Sequence, residues 1–150
     1  MLRKQIGAAA VEFALILPFL MIISLLATEY GRALHEYNIL TKSVRDAARY
    51  LTTYAYGDTT KYPTAKNLIV YGNPAGTGSP LVLGLTTSMV PDPVWQTVAN
   101  APVVRIVTVQ VGTGAAGSAT RFKFVPIMAS VFGLNFLGIE FAPITVTMRE

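Results

Sequence analysis

The strongest pattern in this chain is a single long apolar segment close to its start. Residues 13–27 are apolar except for one serine, and Glu12 is the only ionisable side chain between residues 4 and 29. As a helix, residues 8–28 would span about 30 Å, which is enough to cross the hydrocarbon core of a bilayer. We therefore predict a transmembrane helix over residues 8–28.

A cleaved secretory signal peptide is the main alternative for this segment. Such a peptide has a basic start, a short apolar core and a cleavage site between small residues. Arg3 and Lys4 fit the basic start, but Glu12 interrupts the core early and no such cleavage site follows. We therefore expect the span to stay in the protein. Arg3 and Lys4 favour a cytoplasmic N-terminus, which places the rest of the chain on the other side.

Helical periodicity continues beyond the span. Apolar residues recur at alternating steps of four and three, a coiled-coil-like spacing, at Tyr30, Leu34, Tyr37, Thr41, Val44, Ala48 and Leu51. We predict that the same helix extends over residues 29–56, with the oppositely charged pairs Arg32–Glu36 and Lys42–Asp46 on its surface. The stripe is expected to pack on the protein's own C-terminal domain; the alternative is a self-associating coil.

The middle of the chain, residues 57–102, is dominated by turn signals. Proline and glycine recur there in the dipeptides and clusters that are typical of turns. Within this region, Thr64–Tyr71 is predicted to be a short helix because a proline precedes it. Leu81–Leu83 is predicted to be a short extended piece.

The last third of the chain has the alternation of β-strands. Residues 103–111 are rich in valine, with Val107, Val109 and Val111 on one face. Further strands are predicted at residues 120–125 and 140–149, and a short helical turn at residues 126–132. The sequence therefore predicts an α+β fold, in which a long N-terminal helix is packed by an antiparallel sheet of about three strands over residues 103–150.

Composition and charge exclude several classes of function. Hydrophobic residues make up 52% of the chain and charged residues 13%, against about 25% charged in an ordinary soluble domain. The net charge is +4, but the basic residues are scattered, so we expect no nucleic-acid partner. The absence of cysteine excludes disulfides, thiolate catalysis and cysteine-based metal sites.

The sequence contains no pattern of catalytic residues. His35 is the only histidine, and neither a nucleophile nor an oxyanion site is marked near it. A glycine-rich loop at residues 112–118 lacks the lysine of a phosphate-binding loop. The carboxylates Asp46, Asp58, Asp92 and Glu140 are dispersed and lack the spacing of metal ligands. We therefore expect no catalytic site, no metal, no cofactor and no small-molecule substrate.

The start of the apolar segment combines a basic leader, a glycine and a carboxylate in a definite order. Residues 3–7 form a short basic stretch that ends in Gly7, and Glu12 and Phe13 follow at the start of the apolar helix. This order resembles the class III signal of type IV pilins, which a prepilin peptidase cleaves after glycine. The resemblance implies residues 1–7 as a leader, cleavage between Gly7 and Ala8, and Glu12 as the fifth residue of the processed chain.

Glu12 is the residue on which a role for this segment depends. A carboxylate in lipid costs roughly 2.5–3.5 kcal/mol at the centre of a helix and less near its edge. After cleavage, Glu12 and Phe13 would lie one turn from the new ammonium of Ala8, and Glu12 of one subunit could pair with that ammonium on a neighbour. The alternative is that Glu12 lies among lipid headgroups or is protonated.

Three stretches of the long helix carry a closer resemblance, at residues 7–18, 29–34 and 44–50. Together they resemble the TadE-like family of the Tad, or Flp, tight-adherence pilus system, and residues 121–126 and 145–150 resemble the closing strands of that family. The resemblance implies a minor pseudopilin needed for pilus biogenesis. The implied partners are a prepilin peptidase, other pilin or pseudopilin subunits, the Tad inner-membrane platform and membrane lipid.

The resemblance also implies a location. We expect a single-pass protein of the bacterial inner membrane whose C-terminal domain is periplasmic or extracellular, or is incorporated into the pilus. Two other functions remain open from the residues. One is an unprocessed single-pass protein whose outer domain binds a partner or ligand, for which Gly7 and Glu12 would be replaceable. The other is a membrane-tethered hydrolase, which would need a titratable cluster.

Overall fold

One helix of 50 residues, α1 (Leu2–Leu51), forms the first third of the chain in the computed structural model. The structure describes residues 2–100, 103–115, 118, 120–127, 130–131, 134–135 and 138–150. Alanine, leucine and other good helix formers fill α1, and Pro18 is the one proline inside it. The helix ends at Leu51, earlier than the predicted residue 56, and turns lead from there to Gly57.

Short helices follow α1 in the middle of the chain. A 3-10 turn at Thr59–Lys61 leads directly into α2 (Tyr62–Tyr71), and a second 3-10 turn lies at Thr87–Met89. Helix α2 confirms the predicted short helix, although it begins two residues earlier. It ends at Gly72, whose φ of 72° is the left-handed conformation that glycine adopts without strain.

The sheet has three antiparallel strands, Val94–Asn100 (β1), Val103–Val111 (β2) and Ile144–Arg149 (β5), which lie side by side in that order. Trp95 lies opposite Val107, and Val109 lies opposite Val146. A separate two-stranded hairpin is formed by β3 and β4. The strands are β1 (Val94–Asn100), β2 (Val103–Val111), β3 (Ser130–Val131), β4 (Leu134–Asn135) and β5 (Ile144–Arg149). The predicted α+β fold with a three-stranded antiparallel sheet is confirmed.

The identity of one strand differs from the prediction. The third strand of the sheet is β1, which lies within the region predicted to consist of turns. The prediction of a strand at residues 120–125 was wrong. That segment pairs only through an isolated bridge between Lys123 and Glu140. Buried and exposed side chains nevertheless alternate in this segment as predicted, because Phe122 and Phe124 are buried while Lys123 is exposed.

Two smaller predictions also fail. Leu81–Leu83 forms turns rather than an extended strand, although the Leu81 N–H donates to the carbonyl of Val70 at 2.7 Å. The helical turn predicted at residues 126–132 is contradicted by β3. Residues 128, 129 and 132 of that prediction lie outside the described residues.

The core lies between the C-terminal half of α1, helix α2 and the inner face of the sheet. Leu40, Val44 and Leu51 of α1 are almost wholly buried. They pack with Ala65, Ile69 and Val70 of α2 and with the inward valines of β2, Val107, Val109 and Val111. A sheet of three strands is marginal alone, so burial against α1 and α2 stabilises it.

The predicted apolar stripe of α1 divides into two parts. Its C-terminal members, Val44, Ala48 and Leu51, are buried against the protein's own domain as expected. Its N-terminal members are exposed: the exposed fraction is 66% for Tyr30, 48% for Leu34 and 40% for Tyr37. In this stretch a different face of the helix is buried, at Glu29, Ala33 and Leu40. The polar residue Glu29 interrupts the apolar pattern of the buried face. The apolar periodicity of the sequence therefore predicted burial for the wrong face of α1 in this stretch.

Candidate functional site

The N-terminal half of α1 presents apolar side chains to its surroundings on every side. Within residues 7–51 the most apolar 18-residue window has a mean hydropathy of 2.4, and none of that window is buried in the protein. By length and composition, the helix is suited to cross a membrane. Soluble monomers rarely expose so large an apolar surface, which indicates that lipid or other subunits cover it.

The residues predicted for processing and pairing all lie on this exposed helix. Gly7, Ala8, Glu12 and Phe13 are exposed, and the helix runs through the Gly7–Ala8 junction without a break. A Cβ added at Gly7 would meet nothing within 4 Å, so this glycine has no packing role in the chain itself. Ala8 and Glu12 are one helical turn apart on one face. Their processing and pairing stay predictions.

The basic residues of the leader are only partly described. The backbone of residues 3 and 4 belongs to α1. The side chains of Arg3 and Lys4 lie outside the described residues, and so does Met1. Their predicted influence on the orientation of the helix therefore stays a prediction.

A buried carboxylate, Glu29, joins the end of the predicted span to the C-terminal part of the chain. Only 7% of Glu29 is exposed. Its Oε1 accepts a hydrogen bond from the backbone N–H of Ile127 at 3.1 Å, and its Oε2 is 2.9 Å from the Arg32 guanidinium. A buried charge is stable only when it is paired and hydrogen-bonded, and both conditions are met here.

Arg32 connects this carboxylate to two further groups. Its guanidinium reaches Glu36 at 3.3 Å, which confirms the predicted Arg32–Glu36 pair, and it lies 5.3 Å from the ring centre of Phe124. We call Glu29, Arg32, Glu36, Phe124 and Ile127 the anchor. Burial raises the pKa of Glu36, with the charge of Glu29 acting in the same direction and that of Arg32 against it.

The anchor is continuous with an aromatic cluster in the last third of the chain. The Phe141 ring is 5.3 Å from that of Phe122 and 5.7 Å, edge to face, from that of Tyr37. The Phe124 N–H donates to the carbonyl of Ile139 at 2.9 Å. Such ring contacts add about 0.5–1.5 kcal/mol each beyond the area that they bury. The anchor and the cluster therefore hold residues 121–127 and 139–141 against the middle of α1.

Sequence analysis did not identify the anchor. Arg32 was predicted only to pair with Glu36, and no role was assigned to Glu29 beyond its place in the family resemblance. A signal was present, because a carboxylate and an arginine three residues apart follow directly after the apolar span. The partner of Glu29 is a backbone N–H that lies far along the chain, at Ile127, and no sequence pattern identifies such a donor.

In the described part of the chain, the remaining surface brings together no catalytic group of residues. A cavity of about 490 Å³ is an open depression between α2 and the second 3-10 turn, and its Lys66 is paired with Asp92 at 2.7 Å. His35 is exposed on α1. In the described part of the chain, no group of three or more histidine, aspartate or glutamate side chains could hold a metal ion. Trp95 packs on the core, with its ring 5.4 Å from that of Tyr56.

Comparison with known proteins gives one match. Residues 7–49 match the family model described as TadE-like protein, whereas no curated protein and no solved structure matches the chain. The matched stretch contains Glu12, Glu29 and Arg32, while the resemblances predicted at residues 121–126 and 145–150 lie outside it. Together with the exposed apolar helix, the match fits a pilus-associated membrane protein of a structural rather than an enzymatic family. Residues 7–49 are therefore similar to the TadE-like family, which confirms the predicted resemblance over that stretch.

Proposed function

We propose that this chain is a minor pseudopilin that is cleaved after Gly7 by a prepilin peptidase and then assembles laterally through α1 in the bacterial inner membrane. The observation that carries the proposal is Glu12, an ionisable residue exposed on an otherwise apolar stretch of helix that matches the TadE-like family model. A carboxylate at such a position is expensive in lipid and needs a compensating partner.

Cleavage would supply that partner. The new N-terminal ammonium of Ala8 would lie one helical turn from Glu12 of the same chain, and at a matching depth for Glu12 of a neighbouring chain. Pairing between two chains compensates both charges and fixes the axial position of one helix relative to the other. Because an unpaired carboxylate in lipid costs a few kcal/mol, this pairing selects correctly assembled neighbours.

Gly7 suits the cleavage step for a local reason. Glycine lowers helix stability by roughly 0.8–1 kcal/mol relative to alanine, so the helix opens more easily there than at the alanines that follow. Apart from the neighbouring turns of the helix itself, no atom of the described chain lies within 4 Å of a Cβ placed at Gly7. The junction is therefore accessible to a peptidase once the backbone leaves helical geometry.

The partners and the location follow from the same proposal. The partners are the prepilin peptidase, other pilin or pseudopilin subunits, the Tad inner-membrane platform and the lipid around α1. The N-terminus lies in the cytoplasm, and the domain formed by α2 and the sheet lies on the opposite side of the membrane or in the pilus. The anchor, which follows the span directly, would hold this domain close to the membrane surface.

The alternative is an unprocessed single-pass protein whose outer domain binds a partner. The first test is the N-terminal residue of the protein recovered from its native membrane, by intact mass or terminal sequencing. A chain that begins at Ala8 supports processing. A chain that still begins at Met1, in cells with an active prepilin peptidase, would contradict the proposal and favour the alternative.

A substitution tests the pairing itself. Glu12→Ala should leave the protein inserted and processed but should strongly reduce pilus output, because the neighbouring ammonium loses its counter-charge. Ser24→Ala removes a polar group from the same span and serves as the matched control, with output unchanged. Full pilus output with Glu12→Ala would contradict the pairing.

A further inference from the structure

One segment of the last third of the chain follows α1 toward the predicted span at residues 8–28. Three successive contacts mark its course: Phe141, which packs on Phe122, meets Tyr37; Phe124 meets Arg32; and Ile127 meets Glu29. As the segment proceeds from residue 122 to residue 127, its partners on α1 step back from residue 37 to residue 29. This is about 12 Å along the helix at roughly 1.5 Å per residue. The segment therefore approaches the end of the domain that is nearest the span.

The chain returns along the same path. The Phe124 N–H donates to the carbonyl of Ile139 at 2.9 Å, and the Phe141 N–H donates to the carbonyl of Phe122 at 3.2 Å. The residues between Ile127 and Ile139 therefore leave the domain and re-enter it at the end nearest the span. They include the hairpin of β3 and β4. We call the described residues from Ile127 to Ile139 the tip.

The tip belongs to a stretch that carries no charge and little polarity. Residues 124–139 contain no ionisable side chain, and their only polar residues are Ser130 and Asn135, which lie opposite each other in the hairpin. Large apolar residues of a folded domain mostly lie in its core. Ile127, however, is 73% exposed, and Ile139 is exposed as well. The domain therefore presents apolar side chains at its end nearest the span.

We propose that the tip inserts into the headgroup zone of the bilayer that α1 crosses, so that the domain contacts lipid at a second place besides the helix. This rests on the part of the proposed function that places α1 across a membrane. It does not depend on cleavage after Gly7 or on pairing by Glu12.

The height of the tip fits the edge of a bilayer. Glu29, whose carboxylate accepts from the Ile127 N–H, is the first residue after the predicted span. Ile127 therefore lies where hydrocarbon gives way to lipid headgroups. Tyr30 is exposed on α1 at the same height, and tyrosine is enriched at that boundary. An apolar groove of about 340 Å³ has Tyr30 and Ile139 in its walls, so lipid would cover one continuous surface of α1 and the tip.

The backbone of the tip limits how deeply it can insert. Only helices and closed barrels satisfy every backbone N–H and C=O group within the hydrocarbon core. A hairpin of two short strands has open edges, and their backbone groups need water or headgroups as partners. The tip is therefore expected to stay in the headgroup zone and to contact only the upper part of the acyl chains.

Another protein subunit is the competing occupant, because exposed apolar surface also marks protein interfaces. A subunit could bind at any height of the domain, whereas lipid is available only beside the end of the span. The far end of the domain supplies the control, because Val98 is also apolar and is 63% exposed there. Its neighbour Thr97 lies opposite Arg105, whose guanidinium lies over the ring of Tyr56, beyond the end of α1.

The experiment uses the absence of cysteine from the chain. Ile127→Cys and Ile139→Cys each place one thiol on the tip for a fluorescent label, and Val98→Cys places one at the far end. The backbone N–H that binds Glu29 is kept in Ile127→Cys. Each labelled full chain is reconstituted into vesicles of phosphatidylcholine and phosphatidylglycerol. The vesicles contain lipid with a nitroxide quencher either near the headgroup or near the end of the acyl chain.

Both labels on the tip should be quenched severalfold more strongly than the label at Val98. The nitroxide near the headgroup should quench them more than the one deep in the bilayer, because the tip inserts only shallowly. Quenching at Ile127 and Ile139 that is no stronger than at Val98 would overturn the proposal.

The ratio of lipid to protein separates lipid from a second subunit. If lipid covers the tip, the quenching of the Ile127→Cys label stays the same when more lipid is added at a fixed fraction of nitroxide. If another copy of the chain covers the tip, dilution removes that copy and the quenching rises. A rise on dilution would therefore overturn the proposal in favour of a contact between subunits.

A label within the predicted span separates this inference from the proposed function. Leu20→Cys lies near the middle of residues 8–28, so its label should be quenched most by the deep nitroxide. Quenching at Leu20 without quenching on the tip would contradict the insertion of the tip and leave the minor-pseudopilin proposal standing. Absence of quenching at Leu20 would contradict the crossing of the membrane by α1, and with it both proposals.

Discussion

The two ends of α1 differ in composition and have opposite surroundings. Residues 7–28 are apolar and largely exposed, whereas Leu40, Val44 and Ala47 are completely buried against the sheet and α2. Both ends are one continuous helix. The C-terminal end is stabilised by the chain's own tertiary packing, while the N-terminal end needs lipid or another subunit. The apolar side chains of the two ends therefore differ in what covers them: the chain's own α2 and sheet at the C-terminal end, and the surroundings of the protein at the N-terminal end.

The boundary between the two ends is polar. Glu29 and Arg32 lie where the exposed apolar surface stops and the packed part of the helix begins. Their contacts with Ile127 and Phe124 join this boundary to the last third of the chain. Substitutions on the two sides of this boundary should accordingly have different effects on the unfolding of the domain.

The largest difference is expected for two leucines of the same helix. Leu40→Ala should lower the free energy of unfolding by about 2–5 kcal/mol, because it leaves a cavity in the packed core. Leu20→Ala, at a position that is 51% exposed, should leave domain unfolding unchanged. Thermal unfolding of the full chain in detergent, followed by near-ultraviolet circular dichroism, measures both. Equal losses would contradict the division of α1 into two ends.

A carboxylate on each side of the boundary gives the next comparison. Glu29→Ala should cost about 1–3 kcal/mol, because the N–H of Ile127 and the Arg32 guanidinium both lose the carboxylate that accepts from them. Glu12→Ala should not change the unfolding of the domain, since Glu12 lies on the exposed end. The same unfolding assay applies. A stable Glu29→Ala variant would show that the anchor does not hold the domain to α1.

Two glycines should respond to alanine with opposite signs. Gly72→Ala should destabilise by about 1–3 kcal/mol, because a left-handed residue would gain a Cβ 3.0 Å from the Leu81 side chain. Gly31→Ala should stabilise α1 by up to about 1 kcal/mol, because the site is helical and open. Denaturant-induced unfolding of both variants in detergent measures the sign of each change in the free energy of unfolding. Destabilisation by Gly31→Ala would reveal a contact that the fold does not contain.

The smallest effect concerns pH. Burial raises the folded-state pKa of Glu36 above its ordinary value of 4.5, so the folded protein binds this proton more tightly than the unfolded chain does. The contribution of Glu36 to stability is therefore greatest below pH 4.5 and falls as the pH rises through the folded-state pKa. In Glu36→Gln this fall should be absent from a series of unfolding measurements against pH. If the stability of Glu36→Gln fell with rising pH as that of the unsubstituted protein does, Glu36 would be excluded as the source of the fall.

The pattern of hydrophobic and polar residues was sufficient to predict the main helix α1 and the strands β2 and β5. Val107, Val109 and Val111 alternate because one face of β2 meets the core, so periodicity identified them directly. Strand β1 was missed because its outward residues Val94 and Val98 are apolar and exposed, which hides the alternation. Edge strands are often ambiguous in this way, since one side of their backbone has no partner strand.

For the functional residues, the sequence was informative only where neighbours in the chain are also neighbours in space. Gly7 and Glu12 could be predicted as candidates because they are close together along α1, and their roles stay predictions. The anchor was missed because the contact between Glu29 and Ile127 joins distant parts of the chain. The packed face of α1 near residue 30 was also misjudged, because Tyr30 and Leu34 look like core residues although Glu29 and Ala33 are the ones buried.

The unbroken course of α1 has a mechanical consequence. At about 1.5 Å per residue the helix is about 75 Å long, and the outer domain is fastened along its far part without an intervening flexible linker. An axial force on the N-terminal end of α1 is therefore transmitted directly to the domain, because no flexible segment lies between them. In the proposed arrangement, axial displacement of the N-terminal end would therefore produce an equal displacement of the domain at the other end of the helix.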